Sequence, residues 1–290
     1  MLLLFGWAGQ VASELRAAAV AQQFDFRALS SQQADFRHPQ RIREILAGAP
    51  TGTCVINAAA YTQVDQAESE PETAELINAV TPGVIAEECR RRNFSLIHLS
   101  TDYVFAGDQS TPYVESDPVS PMNVYGRTKL DGEERILFAF PGALVVRTAW
   151  VFSSHGKNFV KTMLQLGQKK QELNVVSDQF GGPTSAAAIA RTCLDLARQI
   201  LPKKNAEGPS GVYHYCGAPA ISWHGFAEEI FRQAGLQVTV HPIPASQYPT
   251  PAARPHNSIL NCDKIFRDFG ISQSDWRRDL AEVLQDLQAH

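Results

Sequence analysis

Through the first half of this chain, apolar runs of strand length alternate with longer stretches of helical pattern. The short runs are Leu2–Phe5, Phe26–Leu29, Cys54–Asn57 and residues 96–99 and 143–148. Between them lie helical patterns over Gln10–Ala21 and residues 39–46 and 71–92, and a helix within 120–138. Parallel strands need long crossover connections, and a helix in each connection covers one face of the sheet. The alternation therefore predicts an α/β fold with a Rossmann-like, doubly wound parallel sheet. Ligands of such open sheets sit at the carboxyl ends of the strands, so residues just after each apolar run are the first candidates for function.

Beyond about Trp150 the pattern changes. Helical stretches at 158–168 and 186–199 are separated by loops rich in Gly, Pro and Ser at 181–184, 207–211 and 242–255. This part is too short and interrupted for a second doubly wound sheet. The expected division is a dinucleotide-binding domain over residues 1–150 and, over 151–290, mostly a smaller C-terminal substrate-binding lobe, with later segments free to return to the sheet.

The formal net charge is −4 over 290 residues, which gives no general electrostatic help in binding nucleic acid. No run approaches the roughly 20 apolar residues of a membrane span, and the start of the chain lacks a basic segment and cleavage site, so a cytoplasmic protein is expected. The five cysteines, Cys54, Cys89, Cys193, Cys216 and Cys262, show no metal or redox spacing.

The first strand runs into Gly6-Trp7-Ala8-Gly9-Gln10-Val11-Ala12. Glycines at such a turn let backbone approach a pyrophosphate, and the following helix offers free N–H groups and the positive end of its dipole. Ala12 is small enough to let that helix close on the sheet. An acidic residue after the second strand would hold the adenosine ribose of NADH. Here Ser30 and Ser31 stand in its place, leaving room for the 2′-phosphate of NADPH, with Arg27 or Arg37 nearby; Asp35 and Phe36 would flank the adenine. Ala58, Ala59 and Ala60 after the third strand allow a flat ligand to lie against the backbone.

The sharpest signal is Tyr125-Gly126-Arg127-Thr128-Lys129. Residues four apart share a helix face, so an ammonium can sit by a phenol and lower its pKa from about 10. A tyrosine tuned in this way can protonate a carbonyl oxygen as hydride arrives. Upstream, Leu99-Ser100-Thr101-Asp102-Tyr103-Val104-Phe105 ends the fourth strand, and Ser100 or Thr101 supplies a hydroxyl at the same edge.

With these residues in hand, the chain resembles the dTDP-4-dehydrorhamnose reductases, members of the extended short-chain dehydrogenase/reductases. The likeness runs nearly end to end, through Val55-Ile56-Asn57-Ala58-Ala59-Ala60-Tyr61-Thr62, the Ser100 to Phe105 segment, Pro121 to Lys129, Arg147-Thr148-Ala149-Trp150, Asp178-Gln179-Phe180-Gly181-Gly182-Pro183-Thr184 and Tyr248 to Ser258. It implies that Tyr125 donates the proton, with Lys129 and Thr101 beside it. It implies cofactor contacts at Gly9, Gln10, Val11, Asp35, Phe36 and the alanine triplet, beside Gly6 and Ser30 already read from the first loop and the end of the second strand. Thr101, Asp102 and Trp150 would hold the sugar nucleotide, and Arg254 and Asn257 would add polar contacts to it. The implied substrate is a dTDP-linked 4-keto-6-deoxysugar, reduced with NADPH or NADH. The resemblance also allows a homodimer and a Mg2+ ion at a subunit contact, neither of which the sequence itself indicates. Two departures stand out: Ala12 replaces the third loop glycine, and the second strand lacks its carboxylate.

Two other readings fit the same fold. One is a reductase or epimerase for another nucleotide deoxysugar; 4,6-dehydratases place an adjacent Asp-Glu pair after the threonine, whereas Thr101 is followed by Asp102-Tyr103. The other is a non-catalytic NADP-binding regulatory subunit like that of methionine adenosyltransferase, which would not require an intact Thr101, Tyr125 and Lys129.

Overall fold

The computed structural model describes residues 1–201 and 208–289. In chain order the first half comprises β1 (Leu2–Phe5), α1 (Gln10–Ala21), β2 (Phe26–Leu29), α2 (Pro39–Ala47), β3 (Cys54–Asn57), α3 (Val64–Ala67), α4 (Pro71–Glu75), α5 (Thr81–Arg92), β4 (Ser95–Thr101), α6 (Val124–Ala139) and β5 (Leu144–Thr148). The second half adds β6 (Val151–Phe152), α7 (Phe159–Gly167), β7 (Glu172–Val176), β8 (Phe180–Gly181), β9 (Thr184–Ser185), α8 (Ala186–Ile200), β10 (Gly211–His214), β11 (Ile221–Ser222), α9 (Trp223–Ala234), β12 (Thr239–Ile243), α10 (Asp263–Phe269) and α11 (Trp276–Gln288).

The main sheet has six strands in the order β10-β5-β4-β3-β1-β2, and every neighbouring pair is parallel. Strand order reverses between β1 and β3, which opens a crevice at their carboxyl ends. Side chains of β1 alternate between the two faces. Leu2 and Leu4 pack with Ala12 and Leu15 of α1 and with α8, while Leu3 and Phe5 meet Ile42, Leu46, Ile85 and Ile136 from α2, α5 and α6. Both faces are covered, which is why the strands read as unbroken apolar runs.

The sheet does not end near residue 150. β10 pairs with β5 from Gly211↔Leu144 to His214↔Arg147, and α8 packs against the α1 face. Of the 207–211 loop read from sequence, Glu207 lies outside the described residues and Gly211 opens β10. α10 also packs on the main core, through Ile265 and Phe269, while α7, α9 and α11 gather round a separate core of Phe152, Val160, Met163, Phe226, Ile230, Trp276 and Leu280. Two small pairings, β12 with β7 and β11 with β8, frame it.

The single helix expected over 71–92 is interrupted by a π-helical stretch, Leu76–Val80, between α4 and α5. Pro82 has no N–H to give to the carbonyl of Asn78, four residues back. Helix α6 comes close at that point: a Cβ on Gly132 would lie 2.1 Å from that same oxygen. The Asn78 side chain accepts from Tyr61 N at 2.8 Å and donates to Thr128 Oγ1 at 3.2 Å, so the interruption joins the alanine-rich β3 loop to α6. No described helix is long and apolar enough to cross a membrane.

Candidate active site

A cleft of about 1380 Å³ opens at the carboxyl edge of the sheet. Its walls include the glycine loop, Ser30 to Phe36, the Ala58 to Ala60 triplet, Thr101, Asp102, Tyr125, Lys129 and Trp150. Gly6 has φ +133°, a conformation side chains rarely adopt, and a Cβ there would come 3.0 Å from the Cβ of Ala12. The alanine thus takes up the closeness of α1 to the loop. Gly9 caps α1 with no side-chain hydrogen bond and open space around it, so the first N–H groups of the helix face the cleft free of any side-chain partner. Gln10 also ties the two lobes together: its Oε1 accepts from Ser153 Oγ at 3.0 Å and from Asn158 Nδ2 at 2.8 Å. Val11 completes the loop wall.

At the far end of the cleft Ser30 and Ser31 line the wall, with Arg37, His38 and Arg41 beside them. Arg37 is held by Asp35 through a 2.7 Å ion pair, and that arginine keeps the Asp35 carboxyl below its usual range. Phe36 is buried edge-on against Phe5, with ring centroids 5.5 Å apart. Arg27, the other arginine expected here, is exposed on β2 and is not part of the cleft wall.

The chemical centre is built by close backbone packing. Asn123 caps α6 by accepting from Gly126 N at 2.7 Å. A Cβ on Gly126 would fall 2.2 Å from Tyr103 O, so only glycine lets α6 start against the turn that follows β4. That contact brings Tyr125 beside Thr101. The Thr101 hydroxyl accepts from Tyr103 N at 3.2 Å and donates to Asp102 Oδ1 at 3.0 Å. Burial pushes the Tyr125 phenol up to about 12; hydrogen bonding with Thr101 pulls it down, and the Asp102 carboxyl pushes it further up.

Lys129 is buried, and burial brings its ammonium down to about 8 against the opposing pull of Glu133. Its Nζ donates to Leu99 O at 2.7 Å and meets His98 Nε2 at 3.2 Å. The four-residue spacing alone predicts an amine that lowers the phenol pKa. Here it is docked on β4, and desolvation governs Tyr125 instead.

Asp102 is 3% exposed, and among the described residues its Oδ2 has no hydrogen-bond partner. Burial raises its carboxyl from 3.8 to about 6, with Ser258 and Thr101 only partly offsetting the effect. Below the unfolded value of 3.8 the group is neutral in both states; as pH rises to about 6 and beyond, the folded chain carries the whole cost of burying the charge. Asp102→Asn should therefore stabilise the fold by roughly 2–3 kcal/mol at about pH 7.5, and by much less at about pH 4.5. Chemical denaturation at the two pH values measures this, and no gain at the higher pH would refute it.

Trp150 follows β5 with φ +47°, in the left-handed region that strains a bulky residue. Its indole stacks on Trp223, with centroids 3.4 Å apart and planes 3° from parallel. Gly181 backs it: a Cβ there would lie 2.4 Å from the indole. Trp223 and Phe159, which were not singled out from sequence, extend this aromatic wall into the cleft. Arg254 and Asn257 lie elsewhere. Arg254 pairs with Asp65 at 2.9 Å and sits over the Tyr103 ring, 5.9 Å from its centroid. Asn257 donates to Gln109 O and Thr111 O and accepts from Ile259 N, so its amide is used in holding loops together. Neither lines the cleft. Among the described residues no group of three or more His, Cys, Asp or Glu side chains could hold a metal ion.

A parallel sheet of this topology, with a glycine loop after its first strand and a Tyr-x-x-x-Lys helix at the same edge, defines an extended short-chain dehydrogenase/reductase. The family model described as the RmlD substrate binding domain matches residues 1–289. The chain belongs to the dTDP-4-dehydrorhamnose reductase family. It is 41% identical to the dTDP-4-dehydrorhamnose reductase of Burkholderia thailandensis over 296 residues, covering 99% of this chain and 98% of that one. A dTDP-4-dehydrorhamnose reductase structure from Clostridium acetobutylicum is 34% identical with a TM-score of 0.91, covering 99% of each chain. Another, from Bacillus anthracis in complex with NADP, is 31% identical with a TM-score of 0.90, covering 98% of each chain.

Proposed function

We propose that this chain reduces the 4-keto group of dTDP-4-dehydro-β-L-rhamnose to give dTDP-L-rhamnose, with NADPH or NADH as reductant. The observation that carries this reading is a single cleft that combines the glycine loop and alanine triplet with Thr101, Tyr125 and Lys129. The free N–H groups at the start of α1 suit a pyrophosphate, and the open space around Gly9 leaves room for it. When bound, the dinucleotide supplies the hydride. Tyr125 gives its phenolic proton to the carbonyl oxygen, and the Thr101 hydroxyl, turning its proton from Asp102 to the substrate, orients that oxygen by hydrogen bonding. A phenol near 12 holds its proton until negative charge develops on the substrate, so it acts as an acid in step with reduction. Lys129 binds the nicotinamide ribose and, as an ammonium, returns a proton to the phenolate. Trp150 and its stacked partner Trp223 wall the sugar side and exclude water. Arg254 acts indirectly, steadying the Tyr103 turn through Asp65.

Ser30 and Ser31 place no carboxylate beside the adenosine ribose, so a 2′-phosphate meets no repulsion there. Purified protein given dTDP-4-dehydro-6-deoxy-L-mannose should oxidise added NADPH stoichiometrically, and should use NADPH at least as well as NADH. Product formed without net cofactor oxidation would mean an epimerase. A tenfold advantage for NADH, about 1.4 kcal/mol, would overturn the assignment at Ser30. No turnover on any deoxysugar nucleotide, with stoichiometric recovery of a methionine adenosyltransferase, would point instead to a regulatory subunit.

A further inference from the structure

His98 lies within β4, fully buried, with one side-chain partner on each ring nitrogen. Nδ1 is 2.9 Å from Asn57 Nδ2 and Nε2 is 3.2 Å from Lys129 Nζ. Burial and the adjacent lysine hold the imidazole well below its usual pKa, so it is neutral and has one N–H and one bare nitrogen. Asn57 decides which is which. Its Oδ1 accepts from Ala59 N at 3.1 Å, which turns its NH2 group towards His98. The nitrogen facing that donor must be bare, so the ring proton is on Nε2, pointing at Lys129. An ammonium there would set two donors against each other; a neutral amine accepts from Nε2–H and still donates to Leu99 O at 2.7 Å.

We propose that His98 is a positioning residue for Lys129: fixed in its Nε2–H tautomer by Asn57, it offers Nζ a donor and no acceptor, and so favours the neutral amine over the ammonium at this dock. The consequence for turnover rests on the reductase reading; the tautomer does not. The other groups facing Lys129 are Glu133 on its own helix, itself paired with Arg147 of β5, and Tyr125 and Asp102 at the cleft. Of these Glu133 favours the ammonium and burial favours the amine; the Nε2–H of His98, as a donor, acts in the same direction as burial.

Two measurements test this on the full-length protein. In 15N-edited NMR of the imidazole, without added dinucleotide, His98 should be the Nε2–H tautomer; Nδ1–H would overturn the proposal whether or not the chain reduces a ketosugar. In turnover, kcat/KM should fall as pH rises through the lysine value near 8. His98→Gln puts an amide oxygen that can accept from an ammonium at the Nε2 position. It should move that limb upward by about one pH unit, a tenfold change in proton affinity. A folded His98→Gln enzyme whose alkaline limb stays where the parent's lies would overturn it as well. Should His98→Gln fail to fold, the tautomer in the parent protein decides.

Discussion

Tyr125→Phe is expected to lower kcat for the dTDP-linked ketosugar by about 10²–10⁴-fold while leaving dinucleotide affinity nearly unchanged, since general acid catalysis is typically worth that much. The substitution removes one oxygen and keeps the ring. That ring packs edge-on against Tyr103, with centroids 5.7 Å apart and planes at 78°, and phenylalanine preserves the contact. The phenol's burial makes it a reluctant acid in the ground state, with a pKa near 12. Its proton becomes useful only when the substrate oxygen gains negative charge, so the loss belongs to the transition state and should appear in kcat. Single-turnover rates separate chemistry from product release. Full turnover by Tyr125→Phe, with chemistry shown to be rate-limiting, would remove Tyr125 from the role of proton donor.

The residues that were legible in the sequence share a property: their function follows from local spacing. The glycine loop, the alanine triplet and Tyr125 with Lys129 each lie within a few positions of a strand end or on one helix face, and all line one cleft. Periodicity records such short-range order well. Partner choice across the fold leaves no such mark. The sequence shows Lys129 four residues after Tyr125, but the depth of burial that brings its Nζ to Leu99 O and His98 is set by how α6 seats on β4. His98 reads as one more packed residue of a strand, because the lysine that meets it is 31 positions away. Arg254 and Asn257, in a proline-rich loop, look like available polar groups; Asp65 and the carbonyls of Gln109 and Thr111 claim them from far along the chain. The same limit applies to the fold. β10 returns to the sheet after a long excursion, and only its pairing with β5 makes it part of the first domain's core. The π-helical interruption before Pro82 is not marked in the 71–92 helical pattern, and the close approach that accompanies it comes from Gly132 of a helix 50 residues on.

Beneath the cleft, that dependence on distant partners has a measurable energetic consequence. Glu133 of α6 and Arg147 of β5 form a buried ion pair, Nη2 to Oε2 at 2.6 Å, with side-chain exposures of 2% and 4%. Arg147 Nε makes two further contacts to the same carboxylate, at 3.0 and 3.1 Å, and Ser100 of β4 donates to it as well. One carboxylate thus fastens the helix that carries Tyr125 and Lys129 to two strands of the sheet. Arg147→Met would leave that charge buried without its counter-ion, and the fold should lose about 3–5 kcal/mol. A pair of this kind is replaceable, because removing both charges also removes both desolvation penalties. Arg147→Met with Glu133→Leu should therefore regain much of the stability, which equilibrium unfolding in denaturant can measure as a double-mutant cycle. Activity should not return with it. Glu133 is the carboxylate that opposes the burial-driven loss of charge on Lys129, so the double variant should hold a still more weakly basic lysine and lose turnover at lower pH than the parent. A single variant as stable as the parent would show that the pair contributes little; a restabilised double variant with the parent's pH profile would show that Glu133 serves the fold alone.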